Sequence, residues 1–442
     1  MLDIGFIRDN EVALRAAIQN KNLTLDFDRL LAVDRERREL LQKIEELKSL
    51  KNDINNLIQS AVTPEERAEV IAKGKEIKTA LETTEPEWQR VKGEFDALMV
   101  AVPNIISPDT PIGKSDAENK EVYVSGEKQT FDFVPKTHIE LGRDLDILDL
   151  ERGAKVGGYR GYYVKNEGVL LAMGLMLYAL QKLAAKGYQS MIPPTLVKGF
   201  PLFGSGYFKG LDYDDAVDEV YEIASSDKES DGSISKEKKF LVGTAEPSLL
   251  AYYSDEVLDG ATLPIRFAGF SQCYRSEIGS YGKETKGMYR VHEFMKVEQV
   301  IIAPADVDLS NALQEEMISL SQEMHEELGL PYRKIQICTG DMSAGKYRAF
   351  DLEAWMPGMN RYGETGSASN FLDWQARRLN VRYTDLETGD KRYVYMLNNT
   401  ALPTPRVLIA LLENHQDAEG NVRIPKVLQS FVGTDIIRKK GL

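Results

Sequence analysis

The chain has 442 residues with a hydrophobic share of 43% and a charged share of 28%, proportions typical of globular proteins. A formal net charge of −14 disfavours a protein that coats nucleic acid nonspecifically, because phosphate affinity depends largely on Lys and Arg. The two cysteines, Cys273 and Cys338, exclude a multi-bridge disulfide framework, and with four histidines they leave little for a Cys-rich zinc site. Since no apolar run approaches the roughly 20 residues of a membrane span and no signal-peptide pattern opens the chain, we expect a cytoplasmic protein of roughly two or three domains.

The N-terminal part of the chain carries two heptad patterns typical of paired helices. Apolar residues recur in steps of three and four along residues 30–58 and again along residues 70–98. Thr63 and Pro64 lie between these runs and suit a helix start, so the pattern predicts an antiparallel two-helix coiled coil over about residues 26–100. Pro86 falls inside the second helix, where we expect a kink. A coiled coil that dimerises with a second copy is the alternative for this pattern.

Composition changes after residue 100 and predicts the domain boundaries. Pro103, Pro108, Pro111 and a polar stretch favour a linker. We therefore expect an N-terminal domain over residues 1–110, a linker over 111–136 and a larger domain over 137–442. In the larger domain, strand patterns and amphipathic helices mix without a regular βαβ order, which favours an α+β fold with a largely antiparallel sheet flanked by helices. The acidic, Ser- and Lys-rich residues 211–239 are expected to form a surface insertion between two strands.

The segment richest in chemically active side chains spans residues 270–298. Its pattern predicts a strand over 270–277, a Gly-rich loop with Lys283 and Lys286, and a second strand over 289–298. Arg275 and Glu277 lie two residues apart, so on a strand they would share one face. Charged and aromatic residues alternate with apolar ones along the second strand, and such a row is costly to bury without a ligand. The alternative is a sheet face exposed to solvent.

Residues 275–277 (Arg-Ser-Glu), the loop and residues 289–298 (Tyr-Arg-Val-His-Glu-Phe-Met-Lys-Val-Glu) together resemble motif 2 of the class II aminoacyl-tRNA synthetases, in the form that seryl-tRNA synthetases use. Residues 187–194 look like motif 1 of that class, and residues 397–406 leading into 411–416 look like motif 3. Residues 243–246 (Gly-Thr-Ala-Glu) are similar to the loop that holds serine, residues 364–370 and 375–378 to the segment that closes the ATP site, and the helical hairpin to the tRNA-binding arm. The resemblance therefore covers essentially the whole chain and favours the zinc-free, bacterial-like form of the family.

The resemblance implies an ATP-dependent serine–tRNA ligase with a class II catalytic domain. Such an enzyme converts L-serine and ATP into seryl-adenylate and then transfers the seryl group to the 3′ end of tRNA(Ser). By resemblance, Arg275 holds the α-phosphate, Arg406 the γ-phosphate, and Phe294 stacks on adenine. The implied catalytic residues are Arg275, Arg406 and Glu364. The implied ATP-binding residues are Arg275, Ser276, Glu277, Val291, Phe294, Glu364, Thr365, Gly366, Ser367 and Arg406.

The resemblance also implies a serine pocket, a metal site and partners. The implied serine-binding residues are Thr244, Ala245, Glu246, Arg275, Glu298 and Thr400, and which of them takes the ammonium and which the hydroxyl stays open. Glu364 and Ser367 are the implied ligands of Mg²⁺, a hard cation that prefers oxygen, and no zinc is expected. The expected partners are tRNA(Ser) and a second copy of the chain, paired through motif 1 around Gly187–Pro194, with no membrane.

Two other functions remain open at this stage. One is a synthetase paralogue that loads an amino acid onto a carrier protein, which would not need the long hairpin. The other is a non-catalytic binding protein, which would be expected to have lost phosphate ligands such as Arg275 and Arg406. Taken alone, Arg406 could instead form a salt bridge at a helix start, and Phe294 could be an ordinary core aromatic residue.

Overall fold

The computed structural model describes residues 1–60, 63–224, 228–278 and 287–439, so the predicted loop with Lys283 and Lys286 lies outside the described residues. Two compact units are present. One comprises residues 2–18 and 23–102, and the other comprises Met1, residues 19–22 and residues 103–442.

The first unit is helical. Its elements are α1 (Ile4–Asp9), α2 (Glu11–Asn20), α3 (Phe27–Ser60) and α4 (Pro64–Val100). A capping box starts α4, because the Thr63 hydroxyl accepts from the Glu66 N–H and the Glu66 carboxylate accepts from the Thr63 N–H. The two long helices run antiparallel, since Arg29 of α3 pairs with Glu94 of α4 at 2.6 Å whereas Lys48 pairs with Glu85 at 3.0 Å. The predicted two-helix coiled coil is confirmed.

Gly74 and Arg37 occupy positions of the heptad pattern where an apolar residue is expected, and their contacts explain why they are tolerated. A Cβ at Gly74 would lie 3.2 Å from Ile54 of α3, so the glycine lets the two helices approach closely there. The Arg37 guanidinium lies 4.4 Å from the centre of the Phe95 ring, which lets a charged residue occupy a seam position. Helix α4 extends from Pro64 to Val100 with Pro86 inside it, although Pro86 has no N–H to donate. The proline therefore interrupts neither the element nor its pairing with α3.

The second unit mixes helices and strands. Its helices are α5 (His138–Asp144), α6 (Leu150–Gly157), α7 (Glu167–Ala185), α8 (Gly199–Ser205), α9 (Glu246–Leu250), α10 (Val307–Glu327), α11 (Trp374–Leu379), α12 (Arg406–Asn414) and α13 (Gln429–Val432). Its strands are β1 (Lys120–Ser125), β2 (Leu148–Asp149), β3 (Tyr163–Val164), β4 (Gln189–Met191), β5 (Leu196–Lys198), β6 (Tyr221–Ile223), β7 (Lys239–Leu241), β8 (Val257–Asp259), β9 (Ile265–Tyr274), β10 (Glu293–Ala303), β11 (Tyr332–Gln336), β12 (Arg348–Met356), β13 (Arg361–Asn370), β14 (Arg382–Thr384), β15 (Lys391–Tyr393), β16 (Tyr395–Pro403), β17 (Val422–Arg423) and β18 (Ile436–Ile437).

An eight-stranded sheet organises this unit, in the order β1-β11-β12-β13-β16-β10-β9-β4. Every neighbouring pair in it is antiparallel except β4 with β9, which confirms the predicted α+β fold with a largely antiparallel sheet. Strand β1 falls within residues 111–136, the predicted linker. Its residues are almost all exposed because it forms one edge of the sheet, so the strand has no alternation of buried and exposed residues that would mark it in the sequence.

The main core lies between the sheet and helices α7, α10 and α12, whose apolar faces are buried together. Among the described residues, α7 alone has the length and apolar composition that a membrane span requires. Its Leu171, Leu175 and Ala179 are nevertheless buried in this core, which accounts for its apolar sequence.

Lys21 forms an unusual buried contact in the second unit. Its ammonium donates to the carbonyl oxygens of Asn104, Ala344 and Lys346 at 3.1, 2.9 and 2.7 Å. Burial, with the nearby charge of Lys346, lowers the pKa of Lys21 to about 7. Three carbonyl acceptors use the three donors of an ammonium group, so the charge is fully hydrogen-bonded within the fold.

Candidate active site

The candidate site is built on the middle strands of the large sheet, where β9, β10 and β16 lie side by side. Glu298 of β10 is paired with Gly269 of β9 on one side and with Thr400 of β16 on the other. Residues 294, 296 and 298 alternate along β10 and so share one face of the sheet. Lys296 is 4% exposed and Glu298 is 2% exposed. The predicted alternative of a solvent-exposed face is therefore wrong for these two residues.

The placement of Arg275 and Glu277 differs from the sequence prediction. We predicted both on one strand face, but β9 ends at Tyr274, and Glu277 has a φ of 55°. The chain turns there because the pairing with β10 ends at Glu293, and the Glu277 carboxylate is bound by Arg290 at 2.7 Å. The second strand likewise begins at Glu293 rather than at residue 289. Arg275 and Glu277 still line the same cavity.

That cavity is lined by residues from the predicted segments 275–277, 289–298, 364–370 and 397–406. Residues predicted to bind ATP that line it are Arg275, Glu277, Val291, Phe294, Glu364, Thr365, Gly366 and Arg406. The chain segments that supply them are far apart in sequence, and the sheet brings them together. The cavity opens beside Lys296 and Thr400, which belong to the predicted serine side.

Arg275 lies between the two halves of the site. Its Nε donates to the Gly243 carbonyl at 3.4 Å, and its guanidinium lies 5.4 Å from the centre of the Phe294 ring. The Arg275 carbonyl accepts a hydrogen bond from His292 Nδ1 at 2.9 Å, and the Tyr221 hydroxyl lies 3.1 Å from the same nitrogen. Tyr221 belongs to the predicted insertion, so this segment reaches the backbone that carries Arg275.

Arg406 and Glu364 form an ion pair at the other end of the cavity. Arg406 is the first residue of α12, and its Nη1 donates to the Glu364 carboxylate at 2.9 Å. Burial acts to raise the pKa of Glu364, but the charge and hydrogen bond of Arg406, with the charges of Arg275 and Lys346, outweigh it and lower that pKa. The salt bridge that we named as an alternative for Arg406 is thus present, and its partner is another predicted site residue.

The remaining predicted nucleotide residues differ in what their side chains can reach. The Thr365 hydroxyl is buried and contacts His325 Nε2 at 2.8 Å, so only its backbone faces the cavity. Ser276 has a buried hydroxyl with no hydrogen-bond partner among the described residues. A buried polar atom without a partner is costly, and a bound ligand would satisfy it. Phe294 is partly buried against the core, as in the core-aromatic alternative, yet it also lines the cavity.

The predicted serine residues form a buried polar cluster beside the cavity. The Glu298 carboxylate is paired with the Lys296 ammonium at 2.7 Å and accepts from the Thr400 hydroxyl at 3.2 Å. The Thr244 hydroxyl accepts from the Glu246 N–H at 3.5 Å. Ala245 is fully buried and packs under β9, where a Cβ at Gly269 would lie 3.2 Å from its own. Gly269 therefore leaves room for this loop to approach the sheet.

Three side chains that the sequence analysis did not select hold the Glu246 carboxylate. Gln375 donates to it at 2.8 Å, Asn398 at 2.6 Å, and the Tyr207 hydroxyl lies 3.4 Å from its other oxygen. Burial, with the charge of Glu298, raises the pKa of Glu246 to about 7. Gln375 and Asn398 lie in the motif segments already quoted and could have been found there. Tyr207 follows α8, outside every motif, and nothing in the sequence marks it.

The region around Glu364 fits a hard cation in part. Asp351 is paired with Ser367 across β12 and β13, and burial, with the charge of Glu364, raises the pKa of Asp351 to about 7. Two carboxylates that repel each other beside a hydroxyl form an oxygen-rich set that suits Mg²⁺. In the described part of the chain, no group of three His, Cys, Asp or Glu side chains could hold a metal alone. A metal here would therefore need oxygens from a bound nucleotide.

A second, larger and more open groove lies between α10 and strands β1, β11 and β12. It contains none of the predicted site residues, and its lining mixes carboxylates such as Glu315 and Glu323 with the basic Lys334 and Arg348. The chemistry of the sequence motifs is concentrated in the smaller cavity.

Comparisons with known proteins agree with this geometry. Residues 1–106 match the model of the seryl-tRNA synthetase N-terminal domain, and residues 229–415 match that of the class II tRNA synthetase core domain for G, H, P, S and T. The serine–tRNA ligase of Borreliella burgdorferi is 41% identical over the full length of both chains, and that of Deinococcus radiodurans is 39% identical over 98% of each.

Solved structures give the same result. The seryl-tRNA synthetase of Pyrococcus horikoshii, crystallised with ATP, superposes with a TM-score of 0.89 at 34% identity and covers 100% of both chains. The cytoplasmic serine–tRNA ligase of Naegleria fowleri, crystallised with AMP, has a TM-score of 0.85 at 29% identity, with 100% of this chain and 99% of that chain covered.

Proposed function

The chain belongs to the seryl-tRNA synthetase family of class II aminoacyl-tRNA synthetases, and from this we propose how its own residues carry out serine–tRNA ligation. In the first step, a serine carboxylate oxygen attacks the α-phosphorus of ATP, and the bond to the leaving pyrophosphate breaks. In the second step, a ribose hydroxyl at the 3′ end of tRNA(Ser) attacks the seryl carbonyl, and AMP leaves. The single observation that carries the proposal is the cavity that brings Arg275, Glu364 and Arg406 together with Lys296 and Thr400, the two residues that contact Glu298.

Arg275 is proposed to bind the α-phosphate and the serine carboxylate together. It lies between the nucleotide cavity and the Gly243 carbonyl, which begins the serine loop. A fixed guanidinium stabilises the negative charge that develops on the α-phosphate during attack. Arg406 binds the γ-phosphate from the start of α12, and Phe294 stacks on adenine. Because serine arrives as a carboxylate, the first step needs no general base, and its catalysis is mainly positioning and charge stabilisation.

The two buried carboxylates are proposed to divide the recognition of serine. In the described part of the chain, the donors that reach Glu246 are all neutral, so the serine ammonium would supply the missing positive charge. Glu298 already has the Lys296 ammonium as its counter-charge and lies beside the Thr400 hydroxyl. Glu298 and Thr400 therefore suit the serine hydroxyl. An alanine substrate would leave these buried groups unpaired, which gives strong discrimination.

Mg²⁺ is proposed to bind Glu364 and Ser367 together with nucleotide phosphate oxygens. When bound, the metal would neutralise phosphate charge. The protein's own part is to hold the Glu364 carboxylate in its ionised form, which the adjacent Arg406 favours.

Serine-dependent exchange of pyrophosphate into ATP tests the proposed first step without tRNA. We expect exchange with serine far above that with alanine, threonine or cysteine, because alanine lacks the hydroxyl, the thiol of cysteine is a weaker hydrogen-bond donor, and threonine adds a methyl group that the buried cluster must accommodate. Absence of exchange with every amino acid, in a folded protein, would favour the non-catalytic binding protein. Exchange followed by transfer to a carrier protein instead of tRNA would favour the carrier-loading paralogue.

The coiled coil is proposed to bind tRNA(Ser), mainly through shape and backbone contacts. Replacing residues 49–84 with a short glycine turn would join α3 and α4 at Lys48 and Glu85, whose side chains already lie 3.0 Å apart. We expect serine-dependent exchange to stay within about twofold of the wild type, while kcat/KM for tRNA(Ser) charging falls by at least about a hundredfold, since several phosphate contacts are lost. Charging assays at two salt concentrations measure this. Equal loss of both activities would contradict a separate role for the arm.

The chain is proposed to form a homodimer through motif 1. On α7, the exposed apolar residues Val169, Leu170, Met173 and Leu177 recur at helical spacing, and Ile192 beyond β4 is 82% exposed. Strand β4 also ends the large sheet, so a second copy could cover both features. Sedimentation equilibrium would detect the dimer, and a monomer at micromolar concentration would contradict it.

We propose the cytoplasm as the site of action, because protein synthesis takes place in the cytoplasm.

A further inference from the structure

Tyr289 contacts both charged residues at one end of the nucleotide cavity. Arg406 Nε donates to the Tyr289 carbonyl at 3.2 Å, and the Arg406 guanidinium lies 4.6 Å from the centre of the Tyr289 ring. The Tyr289 hydroxyl accepts from the Glu364 N–H at 3.2 Å. One side chain and its backbone thus hold the two residues that also form the ion pair at 2.9 Å. We propose that Tyr289 is a positioning residue that fixes Arg406 and Glu364 before ATP binds, an inference that rests on the proposed function.

The packing around Tyr289 leaves it little freedom to move. The residue is 8% exposed, and a Cβ added at Gly363 would lie 2.8 Å from the edge of its ring. Gly363 directly precedes Glu364, so the glycine lets the ring pack against the strand that carries the carboxylate. The Arg361 guanidinium covers the ring as well, at 4.5 Å from its centre.

A buried histidine–carboxylate pair fixes the backbone next to Tyr289. The Met288 N–H donates to His138 Nε2 at 3.2 Å, which makes His138 Nδ1 the protonated nitrogen of a neutral ring. His138 Nδ1 in turn donates to Glu413 at 2.9 Å, and the other Glu413 oxygen accepts from the Gly358 N–H at 3.0 Å. His138 is 2% exposed and Glu413 is fully buried.

The His138–Glu413 pair connects helix α12, which begins at Arg406, with the backbone next to Tyr289, whose carbonyl accepts from Arg406. Glu413 lies on α12, the helix that begins at Arg406, so the same helix carries the guanidinium and anchors residue 288 through His138. A second glycine makes room for the contact, because a Cβ at Gly287 would lie 2.2 Å from His138 Nε2, and Gly287 has a φ of 76°. Together these contacts set the position of Tyr289 relative to both cavity residues.

Equilibrium ATP binding to three variants tests the inference. Tyr289→Leu removes the ring and the hydroxyl and should weaken ATP binding by about tenfold, whereas Tyr289→Phe removes only the hydroxyl and should weaken it by about threefold. In exchange assays, KM for ATP should rise while KM for serine stays within about twofold, because Tyr289 holds Arg406 and Glu364, which are assigned to the nucleotide side of the site. The control is Phe27→Leu, which removes a ring under Arg15 at 4.8 Å in the helical unit and should change neither constant.

A double-mutant cycle separates positioning from a general structural role. In an Arg406→Ala background, Tyr289→Leu should change ATP affinity by no more than about threefold, because the guanidinium that the ring positions is gone and only the hydroxyl contact with the Glu364 N–H is left to lose. A tenfold effect that persists in that background would overturn the inference, as would equal losses for ATP and serine. If the wild type shows no serine-dependent exchange, the proposed function fails. If it exchanges normally but Tyr289→Leu binds ATP as the wild type does, only the present inference fails.

Discussion

Replacing Arg275 with alanine is expected to lower kcat/KM for serine-dependent ATP–pyrophosphate exchange by roughly a thousandfold, or about 4 kcal/mol of transition-state free energy. The guanidinium lies over the Phe294 ring and beside Gly243, where the proposed mechanism places the α-phosphate and the serine carboxylate. Removing a fixed positive charge from that point leaves the charge of the transition state without its main protein partner. Lysine at the same position should restore only part of the activity, because an ammonium group lacks the planar pair of donors.

Arg266→Ala is the matched control for this experiment. Arg266 lies on the same strand, β9, and is paired with Glu316 at 2.9 Å, away from the cavity. Its removal should leave exchange within about twofold while lowering stability slightly. Tyrosine fluorescence and thermal unfolding should show that Arg275→Ala folds normally. Comparable exchange by Arg275→Ala and Arg266→Ala would contradict the role given to Arg275.

Glu246→Gln is expected to abolish serine activation and yet to stabilise the free protein. Glutamine keeps the shape and can still accept from Gln375 and Asn398, but it cannot balance the charge of the serine ammonium. Loss of a buried charge pair costs several kcal/mol, so kcat/KM for serine should fall by at least about a hundredfold. KM for ATP should change little, since Glu246 does not line the nucleotide cavity.

The stabilisation by Glu246→Gln should depend on pH in a defined direction. The folded-state pKa of Glu246 is raised from 4.5 to about 7, so between these values the folded state binds a proton that the unfolded state releases. The wild type therefore loses stability as the pH rises through this window, and above it the full cost of a buried unpaired charge is present. At pH 8 the glutamine variant should be more stable by on the order of 3 kcal/mol, with a difference that vanishes near pH 4.

Thermal unfolding of the free protein at pH 5, 6, 7 and 8 measures this difference. Glu353→Gln is the control, because Glu353 is paired with Arg333 at 2.6 Å outside the cavity and gains nothing from neutralisation. Added serine should reverse the order of stability, since only the wild type binds it. A constant difference in melting temperature at all pH values would contradict the raised pKa of Glu246.

The parts of the fold that could be predicted are those with a local pattern. Heptad spacing predicted the two long helices and their antiparallel pairing, because each step of the pattern involves residues only three or four positions apart and the connection between the helices is short. Strand β1 was missed because its register with β11, more than two hundred residues away, is a tertiary fact and its own side chains are exposed. The ends of β9 and β10 were misplaced for a related reason. Alternation continues through Arg275 and Glu277, but the hydrogen-bonded pairing stops before them.

The site was predictable where its chemistry is concentrated in short segments. Arg275, Glu364 and Arg406 were selected from such segments, and the cavity brings them together. Several side chains that contact the predicted site residues were not selected. Tyr207 reaches Glu246 across the fold, and Lys296 was noted in an alternating row without being assigned to Glu298. Spacing along a chain identifies which residues share a face, but it does not identify which side chains meet from different elements.

The hydrogen bonds of Lys21 set a limit on how this protein can be divided. A fragment that begins at Pro103 would appear to contain the whole catalytic unit, yet it would omit residues 19–22, which belong to that unit. The carbonyls of Asn104, Ala344 and Lys346 would then lose the ammonium that they share, at a place close in sequence to strand β12. The catalytic unit is therefore discontinuous in sequence. Shortening the hairpin beyond residue 27 preserves it, whereas cutting the chain at the apparent boundary removes one of its internal parts.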